Sequence, residues 1–433
     1  MKTTFPASNL SVRDGELLFA GQSVRILAER YGTPLYLMDE DRIRANMGAY
    51  RRAMRAAFGP SCDIAYASKA ACFVRMLAIA HEEGMLCDAV SCGEIFTARK
   101  AGVPGERIVF HSSNKTPEDV AFALKHGVGC FVADNLDELA CIDAAAKEPQ
   151  AVLLRITPGI DPHTFAAVAT GKADSKFGFG IASGAAEEAV KTALSMPHIR
   201  LTGFHCHVGS QVFDAKVFLD SAAVMLQFLA DMRDRFGYTA GVLDLGGGFG
   251  VRYLCTDPVL DLETSIAQIG AFVKSECERL CYPLPRVILE PGRSIAADAG
   301  LTVYRIGTVK RIEDVRTYVS VDGGMTDNIR FALYGAPYTV LPVTRMDEPG
   351  DMRCTVVGRC CESGDVIQPD VDLPSSLHAG DLLAVCTTGA YHYSMASNYN
   401  RLPRPPIVML SGGKSYVAVR RETMEDLLAC DVL

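Results

Sequence analysis

The stretch Asp63-Ile-Ala-Tyr-Ala-Ser-Lys-Ala-Ala71 is an apolar run that stops at a lysine. Its first part, residues 63–67, has the length and composition of a short buried strand. Lys69 stands just past the end of that strand. A lysine in such a place is, taken alone, most simply a solvated charge. Its reading changes because the same pattern recurs along the chain. Short apolar strands are expected at residues 86–90, 107–110, 129–133, 151–156, 201–207, 242–245 and 287–290, with helical segments between nearly all of them. A helix over 41–58 precedes the first strand. Residues 116–126 give the clearest helix, with Thr116 as N-cap, Pro117 at the first position, acidic residues in the first turn and Gly127 just past the end. A further helix over 134–145 is expected to be capped by Asp134.

Eight strands alternating with helices make the pattern of a (β/α)8 barrel of the TIM type, with an open doubly wound sheet as the alternative. The positions of the unusual residues favour the barrel. Lys69, Ser91, His111, Pro158, His207, Gly246 to Gly248 and Glu290 all fall at or just after strand ends, on the face where barrels of this kind carry their active sites. Beyond about residue 297 the pattern becomes an alternation of period two, with strands expected at 302–309, 317–321, 353–357, 382–386 and 416–419. The expected organisation is therefore α/β: residues 1–36 supply N-terminal strands that join a β domain, 37–297 form the barrel, and 298–433 form the all-β domain.

The 433 residues are 49% hydrophobic and 22% charged, as in ordinary globular chains, and the net charge of −8 speaks against nucleic acid or an anionic membrane as partner. No run of 18 apolar residues spans a membrane, and residues 1–10 lack the pattern of a secretory signal, so a cytoplasmic location is expected. The 15 cysteines are scattered without a CxxC pair. A zinc site, a disulfide framework or any other metal centre is not expected, and most of the cysteines read as small buried residues in a reducing compartment.

Several residues carry chemistry. Gly246-Gly-Gly-Phe-Gly250 follows a strand, and glycines let backbone N–H groups approach a phosphate, although they equally serve tight turns. The spacing is not that of a dinucleotide fingerprint. Glu290-Pro-Gly-Arg293 puts a carboxylate into the barrel mouth, where it would keep a ring nitrogen protonated, and Arg293 offers a planar fork for a carboxylate or phosphate. His205 and His207 are expected to share one face of their strand, and His207-Val-Gly-Ser210 offers a flat ring and a hydroxyl. In the β domain, Cys360-Cys-Glu-Ser-Gly-Asp365 has the composition of a turn, in which Cys361 beside Glu362 is an accessible proton donor or else a buried small residue. Gly389-Ala-Tyr391 places a phenol after a strand. Asp322-Gly-Gly-Met-Thr-Asp-Asn-Ile-Arg330 and Tyr334 add an arginine and a second phenol.

Together, Tyr66-Ala-Ser-Lys69, His207-Val-Gly-Ser-Gln211, the glycine loop, Glu290-Pro-Gly-Arg293, Cys361-Glu-Ser363 and Gly389-Ala-Tyr391 resemble the fold-type III pyridoxal-phosphate decarboxylases of the alanine racemase and ornithine decarboxylase superfamily. Thr170-Gly-Lys-Ala-Asp-Ser-Lys-Phe-Gly178, Asn114-Lys115, Ser397-Asn-Tyr-Asn400 and Arg421-Glu-Thr-Met-Glu-Asp426 are similar to the diaminopimelate decarboxylase branch. The resemblance runs from about residue 34 to the end, with the motifs in order.

It implies that Lys69 holds pyridoxal 5'-phosphate covalently, Glu290 pairs with the pyridinium nitrogen and His207 stacks on the ring. Ser210, Gly246, Gly247, Gly248, the turn through Gly292 and Arg293, and Tyr391 are then assigned to the phosphate end. Arg293, Arg330, Tyr334 and Tyr391 are assigned to the substrate. Cys361, as proton donor, and Glu362, as reader of the substrate's amino group, come from the second subunit of a homodimer with composite sites. The implied reaction is decarboxylation of meso-2,6-diaminopimelate to L-lysine and CO2 in lysine biosynthesis. The alternatives are the same machinery acting on D-lysine, D-ornithine or carboxynorspermidine, a pyridoxal-phosphate racemase, and a catalytically silent regulatory relative. The retention of Lys69 and Cys361 argues against the last. The sequence departs from the usual pattern at Phe331, where proline is common, at Pro337, and at Cys92, where glycine is common.

Overall fold

The strand that ends at the lysine, β1 (Cys62–Ala67), pairs in parallel with β2 (Leu86–Ala89) on one side and with the last strand of its sheet, β8 (Arg286–Leu289), on the other. Between them run β3 (Ile108–His111), β4 (Cys130–Ala133), β5 (Gln150–Thr157), β6 (Ile199–His205) and β7 (Val242–Asp244), each hydrogen-bonded in parallel to the next. The sheet closes on itself as an eight-stranded parallel barrel. The computed structural model describes residues 5–160 and 175–433. Thr170 to Asp174 of the stretch that ends at Gly178 lie outside the described residues.

The barrel is a packed core. Ala65, Leu86, Val109, Val132, Leu153 and Ile288, contributed by six of the strands, are buried against one another inside it. The connecting helices form where the sequence caps them. Thr116 accepts from the Asp119 N–H while the Asp119 carboxylate accepts from the Thr116 N–H, a complete capping box with Pro117 in the first turn. The next helix, Leu136–Ala145, is capped by Asn135 and not by Asp134. Asp134 is buried at the end of β4, and the Glu138 carboxylate turns back to its N–H. A second difference concerns β6. It ends at His205, so His207 lies beyond the strand, and the alternation that would place both rings on one face does not reach it.

The chain divides into two compact units, Asn46–Gly250 with Val259–Ser294, and Met1–Ala45 with Val251–Pro258 and Ile295–Leu433. The second unit is built on the 13-residue strand Gly300–Ile312. This strand pairs antiparallel with Leu35–Asp39, with Leu382–Cys386 and with Arg316–Val321. The sheet continues through Met352–Val357 to Val366–Leu373 at one edge, and through Ile407–Ser411 to Lys414–Val419 at the other. Leu35, Leu37, Leu301, Val303, Ala384, Val408 and Leu410 bury its core against the helix Val24–Tyr31. Of the N-terminal strands only Leu35–Asp39 enters this sheet. Leu10–Arg13, Glu16–Phe19 and Gln22–Ser23 form a small antiparallel sheet of their own. Among the described residues, no helix is long and apolar enough to cross a membrane.

Candidate active site

Lys69 lies in the single 3-10 turn Ser68–Ala70 directly after β1 and is half-buried. The turn is held from below. Ser68 Oγ donates to Glu94 Oε2 at 2.7 Å, and the Val90 N–H donates to the same oxygen at 2.7 Å. Glu94 is itself fixed in the first turn of the helix Cys92–Lys100, which Ser91 caps. One carboxylate thus joins the ends of β1 and β2 and sets where the lysine stands. On the other side the Ala67 N–H donates to the Pro291 carbonyl at 3.1 Å. Gly292 is required there, because a Cβ on it would lie 2.9 Å from the Ala67 Cβ and 3.0 Å from the Ala67 carbonyl oxygen.

Glu290 follows β8 and is buried. His205 Nε2 lies 3.1 Å from its Oε2, while its Oε1 is buried and meets no N–H donor among the described residues; the Asp244 carboxyl lies within side-chain hydrogen-bonding reach of Glu290. Burial pushes this carboxyl up. The His205 contact and the positive charge of Lys69 outweigh that effect and hold it well below the usual carboxylate range. Two more carboxyls share the barrel interior. Burial, reinforced by the charge on Glu290, drives Asp88 and Asp244 well above that range and favours their protonated forms. The result is one anionic carboxylate, approached by the His205 ring and the Asp244 carboxyl, in the field of the lysine.

The glycine loop wraps around this carboxylate. The Glu290 N–H donates to the Gly246 carbonyl at 2.8 Å, and the Gly246 N–H donates to Asp244 Oδ1 at 2.8 Å. A Cβ on Gly247 would lie 2.1 Å from the Glu290 carbonyl oxygen, so close packing of the two segments alone requires a glycine there. The Gly247 N–H donates to His207 Nδ1 at 3.3 Å, and the Val212 N–H donates to the Gly248 carbonyl at 2.9 Å. Burial and the nearby charge of Lys69 push the His207 imidazole far down, which leaves it neutral. Arg293 is buried and donates from Nε and Nη2 to Ser210 Oγ at 3.1 and 3.0 Å. Lys69, His207, Ser210, the glycine loop, Glu290, Gly292 and Arg293 therefore belong to one neighbourhood of the barrel.

The other unit gathers the remaining candidates. The Arg330 guanidinium lies 5.1 Å from the ring centre of Tyr334 and 5.4 Å from that of Tyr391. Arg330 is buried, and its Nε has no partner among the described residues. Tyr391 is held at φ 62°, a left-handed conformation uncommon for an aromatic residue. Phe331 falls in the first turn of the short helix Arg330–Tyr334, where proline is also tolerated, so this departure leaves the backbone path unchanged. Cys361 and Glu362 are exposed in their turn. The Cys361 N–H donates to Asn400 Oδ1 at 2.8 Å, which gives the Ser397-Asn-Tyr-Asn400 motif a structural task. The Asp365 carboxylate accepts from the Cys360 N–H at 2.7 Å and from the Met325 N–H at 2.6 Å, tying the cysteine turn to the segment that leads to Arg330. The third departure, Cys92, donates from Sγ to Asp119 Oδ1 at 3.1 Å in the barrel unit.

Asp88, Asp244 and Arg155 are constituents of the site that motif reading passes over. Asp88 interrupts the apolar run Leu86-Cys-Asp-Ala89, and Arg155 interrupts Ala151-Val-Leu-Leu-Arg-Ile156. A charged residue inside an otherwise apolar strand was the available signal. His111, His205 and Glu290 bring three potential ligand atoms within 4.8 Å of one another. The Arg155 guanidinium stands against His111, and the positive charge of Lys69 also acts on Glu290, so the cluster already has cationic partners.

The family profile described as "Pyridoxal-dependent decarboxylase, pyridoxal binding domain" matches residues 41–297. The diaminopimelate decarboxylase of Bacillus subtilis is 45% identical, covering 96% of this chain and 95% of that protein. That of Staphylococcus aureus is 42% identical, covering 97% and 98%. Among solved structures, the diaminopimelate decarboxylase of M. jannaschii in complex with L-lysine superposes with a TM-score of 0.92 at 32% identity, covering 99% of each chain.

Proposed function

The chain belongs to the diaminopimelate decarboxylases, within the pyridoxal-dependent decarboxylase family, and on that premise we propose that it converts meso-2,6-diaminopimelate to L-lysine and CO2 with pyridoxal 5'-phosphate as cofactor. The observation that carries this reading is the state of Glu290. It is a buried, ionised carboxylate in the field of Lys69, with one oxygen, Oε1, that receives no N–H donor among the described residues. A protonated pyridine nitrogen is the N–H donor such an oxygen accepts from. The rest of the neighbourhood fits the same group: a lysine at a strand end, a neutral flat ring in His207, and the paired Arg293 and Ser210 for a phosphate.

When bound, the cofactor supplies an electron sink for the carbon that loses CO2. Lys69 would hold it and take it back as product leaves. Glu290 keeps the ring nitrogen protonated, which is what makes the sink effective. His207, held neutral and tethered by the Gly247 N–H, packs its flat face without adding a charge. Ser210, Arg293, Gly246, Gly247, Gly248, the Gly292 turn and Tyr391 take the phosphate end. Arg330, flanked by Tyr334 and Tyr391, takes the carboxylate that the product retains, and Arg293 is assigned to the substrate as well.

We read the active form as a cytoplasmic homodimer in which Cys361 and Glu362 of one subunit complete the site of the other. Cys361 delivers a proton to the carbon that has lost CO2, and Glu362 recognises the substrate's distal ammonium. The exposure of both side chains within their own subunit supports this reading. A direct test is to supply meso-diaminopimelate to the loaded enzyme. CO2 and L-lysine appearing in equal amounts support the assignment, and an intact substrate after prolonged incubation overturns it.

A further inference from the structure

Beneath the mouth of the barrel, Arg155, His111, His205 and Glu290 form one buried row, with exposures of 5%, 4%, 0% and 5%. Arg155 Nη1 lies 3.0 Å from His111 Nε2. A guanidinium only donates, so His111 accepts through Nε2 and carries its proton on Nδ1. The His111 and His205 rings meet edge to face with centres 4.4 Å apart. At the far end His205 Nε2 lies 3.1 Å from Glu290 Oε2. Burial pushes both imidazoles down, His205 despite the adjacent Glu290 carboxylate and His111 with the help of the nearby His205 ring and Arg155, so both are neutral at pH 7. An ionised carboxylate only accepts, so the single His205 proton sits on Nε2. Each ring therefore has one assigned tautomer, and the direction of donation is fixed at both ends of the row.

We propose, resting on the assignment of Glu290 to the cofactor's ring nitrogen, that His205 is a positioning residue. By donating from Nε2 to Oε2 it fixes the plane of the Glu290 carboxylate and leaves Oε1 for that nitrogen, while Arg155, acting through His111, holds the tilt of the His205 ring. The need for such a device lies in the surroundings of Glu290. Among the described residues, the titratable and charged groups acting on this carboxyl include His205 at the end of β6, Cys206 and His207 just beyond it, Lys69 after β1, Asp88 in β2, Asp244 in β7, whose carboxyl is within side-chain hydrogen-bonding reach of it, and Arg155 in β5. Three carboxyls share one apolar interior, and the negative charge must rest on the one beside the ring. A donor aimed at Glu290 alone makes it the favoured carrier. Without that donor, Glu290 competes with Asp88 and Asp244 for protons, and its carboxylate is free to rotate.

The test uses holoenzyme loaded with pyridoxal 5'-phosphate that carries 15N at the ring nitrogen. It compares wild type, His205→Phe, His205→Gln and, as control, Glu290→Gln. The wild type is expected to show the shift of a protonated ring nitrogen across pH 6–9. His205→Phe should move that shift toward the unprotonated value and weaken cofactor binding by roughly 10- to 100-fold, the loss associated with one hydrogen bond to a charged group. His205→Gln, which keeps a donor, should recover most of the shift. A His205→Phe enzyme with a wild-type shift and wild-type cofactor affinity overturns the proposal while the assignment of Glu290 stands. An unchanged shift in Glu290→Gln removes that assignment, and the proposal with it. Should His205→Phe fail to fold, 15N-histidine spectra of the wild-type holoenzyme decide. A neutral ring with its proton on Nε2 supports the role, whereas a doubly protonated or Nδ1–H ring for His205 contradicts it.

Discussion

The Cys361 N–H donates to Asn400 Oδ1 at 2.8 Å, across 39 positions of sequence. The turn that carries the proposed proton donor is thus pinned at the cysteine itself, and a second time one residue earlier, where the Cys360 N–H donates to the Asp365 carboxylate. A donor that must meet a carbon on another subunit needs this kind of local rigidity. Cys361→Ala leaves both backbone contacts in place and removes only the thiol. Its turnover is expected to fall by about 10²- to 10⁴-fold, the range for loss of a positioned proton donor, with cofactor binding unchanged. Steady-state rates and a cofactor titration of the variant check this, and a turnover within a factor of ~3 of wild type, far short of that range, would remove Cys361 from the chemistry.

Lys69→Ala should lose the visible absorbance of lysine-bound cofactor and all measurable turnover. Because the barrel keeps its core without this half-exposed side chain, far-ultraviolet dichroism should not change. Mixed with Cys361→Ala subunits under conditions of exchange, it should regain part of the activity, since one hybrid site then holds both groups. Exchange demonstrated by mass, with no activity regained, would argue that each site is built from one chain.

Much of this layout was legible in the sequence. Strand periodicity marks every barrel strand to within a few residues, and the motif residues of the barrel lie where their strand ends put them. The barrel closure follows from the count of strands. What pattern reading does not supply is the partner of each buried charge. Asp134 looked like a helix cap, because acidic residues at helix starts are common caps, yet Asn135 takes that place and Asp134 turns inward. His205 and His207 looked equivalent by alternation, but β6 ends at the first of them, which meets Glu290, and the second meets the glycine loop. Such pairings join residues as far apart as 85 positions, and no local pattern encodes them.

Asp88 gives a pH-dependent signature. Its native carboxyl lies above the ordinary range, so the folded protein holds a proton that the unfolded chain releases. Its contribution to stability is fully present below the unfolded-state pKa and is lost as pH rises through the ordinary carboxylate range toward the native value. Asp88→Asn has no proton to lose. Thermal unfolding should therefore show the variant close to wild type near pH 4 and more stable than wild type at pH 7. The reverse ordering would mean that Asp88 is ionised in the native state.

Lys115 and Glu138 form a buried ion pair at 2.6 Å, with side-chain exposures of 0% and 1%. The lysine also donates to the Ser112 and Val132 carbonyls. Burial pushes the lysine down and the glutamate up, and the charge of each partner opposes the shift of the other. Lys115→Met strands a carboxyl group and two carbonyls and should destabilise the enzyme by about 3–5 kcal/mol. The double change Lys115→Met/Glu138→Leu should recover a large part of that loss in urea unfolding. Additive losses in the double variant would show that the pair is not coupled.

The central claim is the substrate, and the most direct measurement is CO2 release by the loaded enzyme with meso-diaminopimelate, D-lysine, D-ornithine and L-ornithine compared side by side. The account predicts that meso-diaminopimelate is turned over far faster than the others and yields L-lysine, because only it offers both a carboxylate for Arg330 and an ammonium for Glu362. Preferential turnover of one of the simple basic amino acids would contradict it and would point to the segment around Phe331 and Pro337 as the place where specificity has changed.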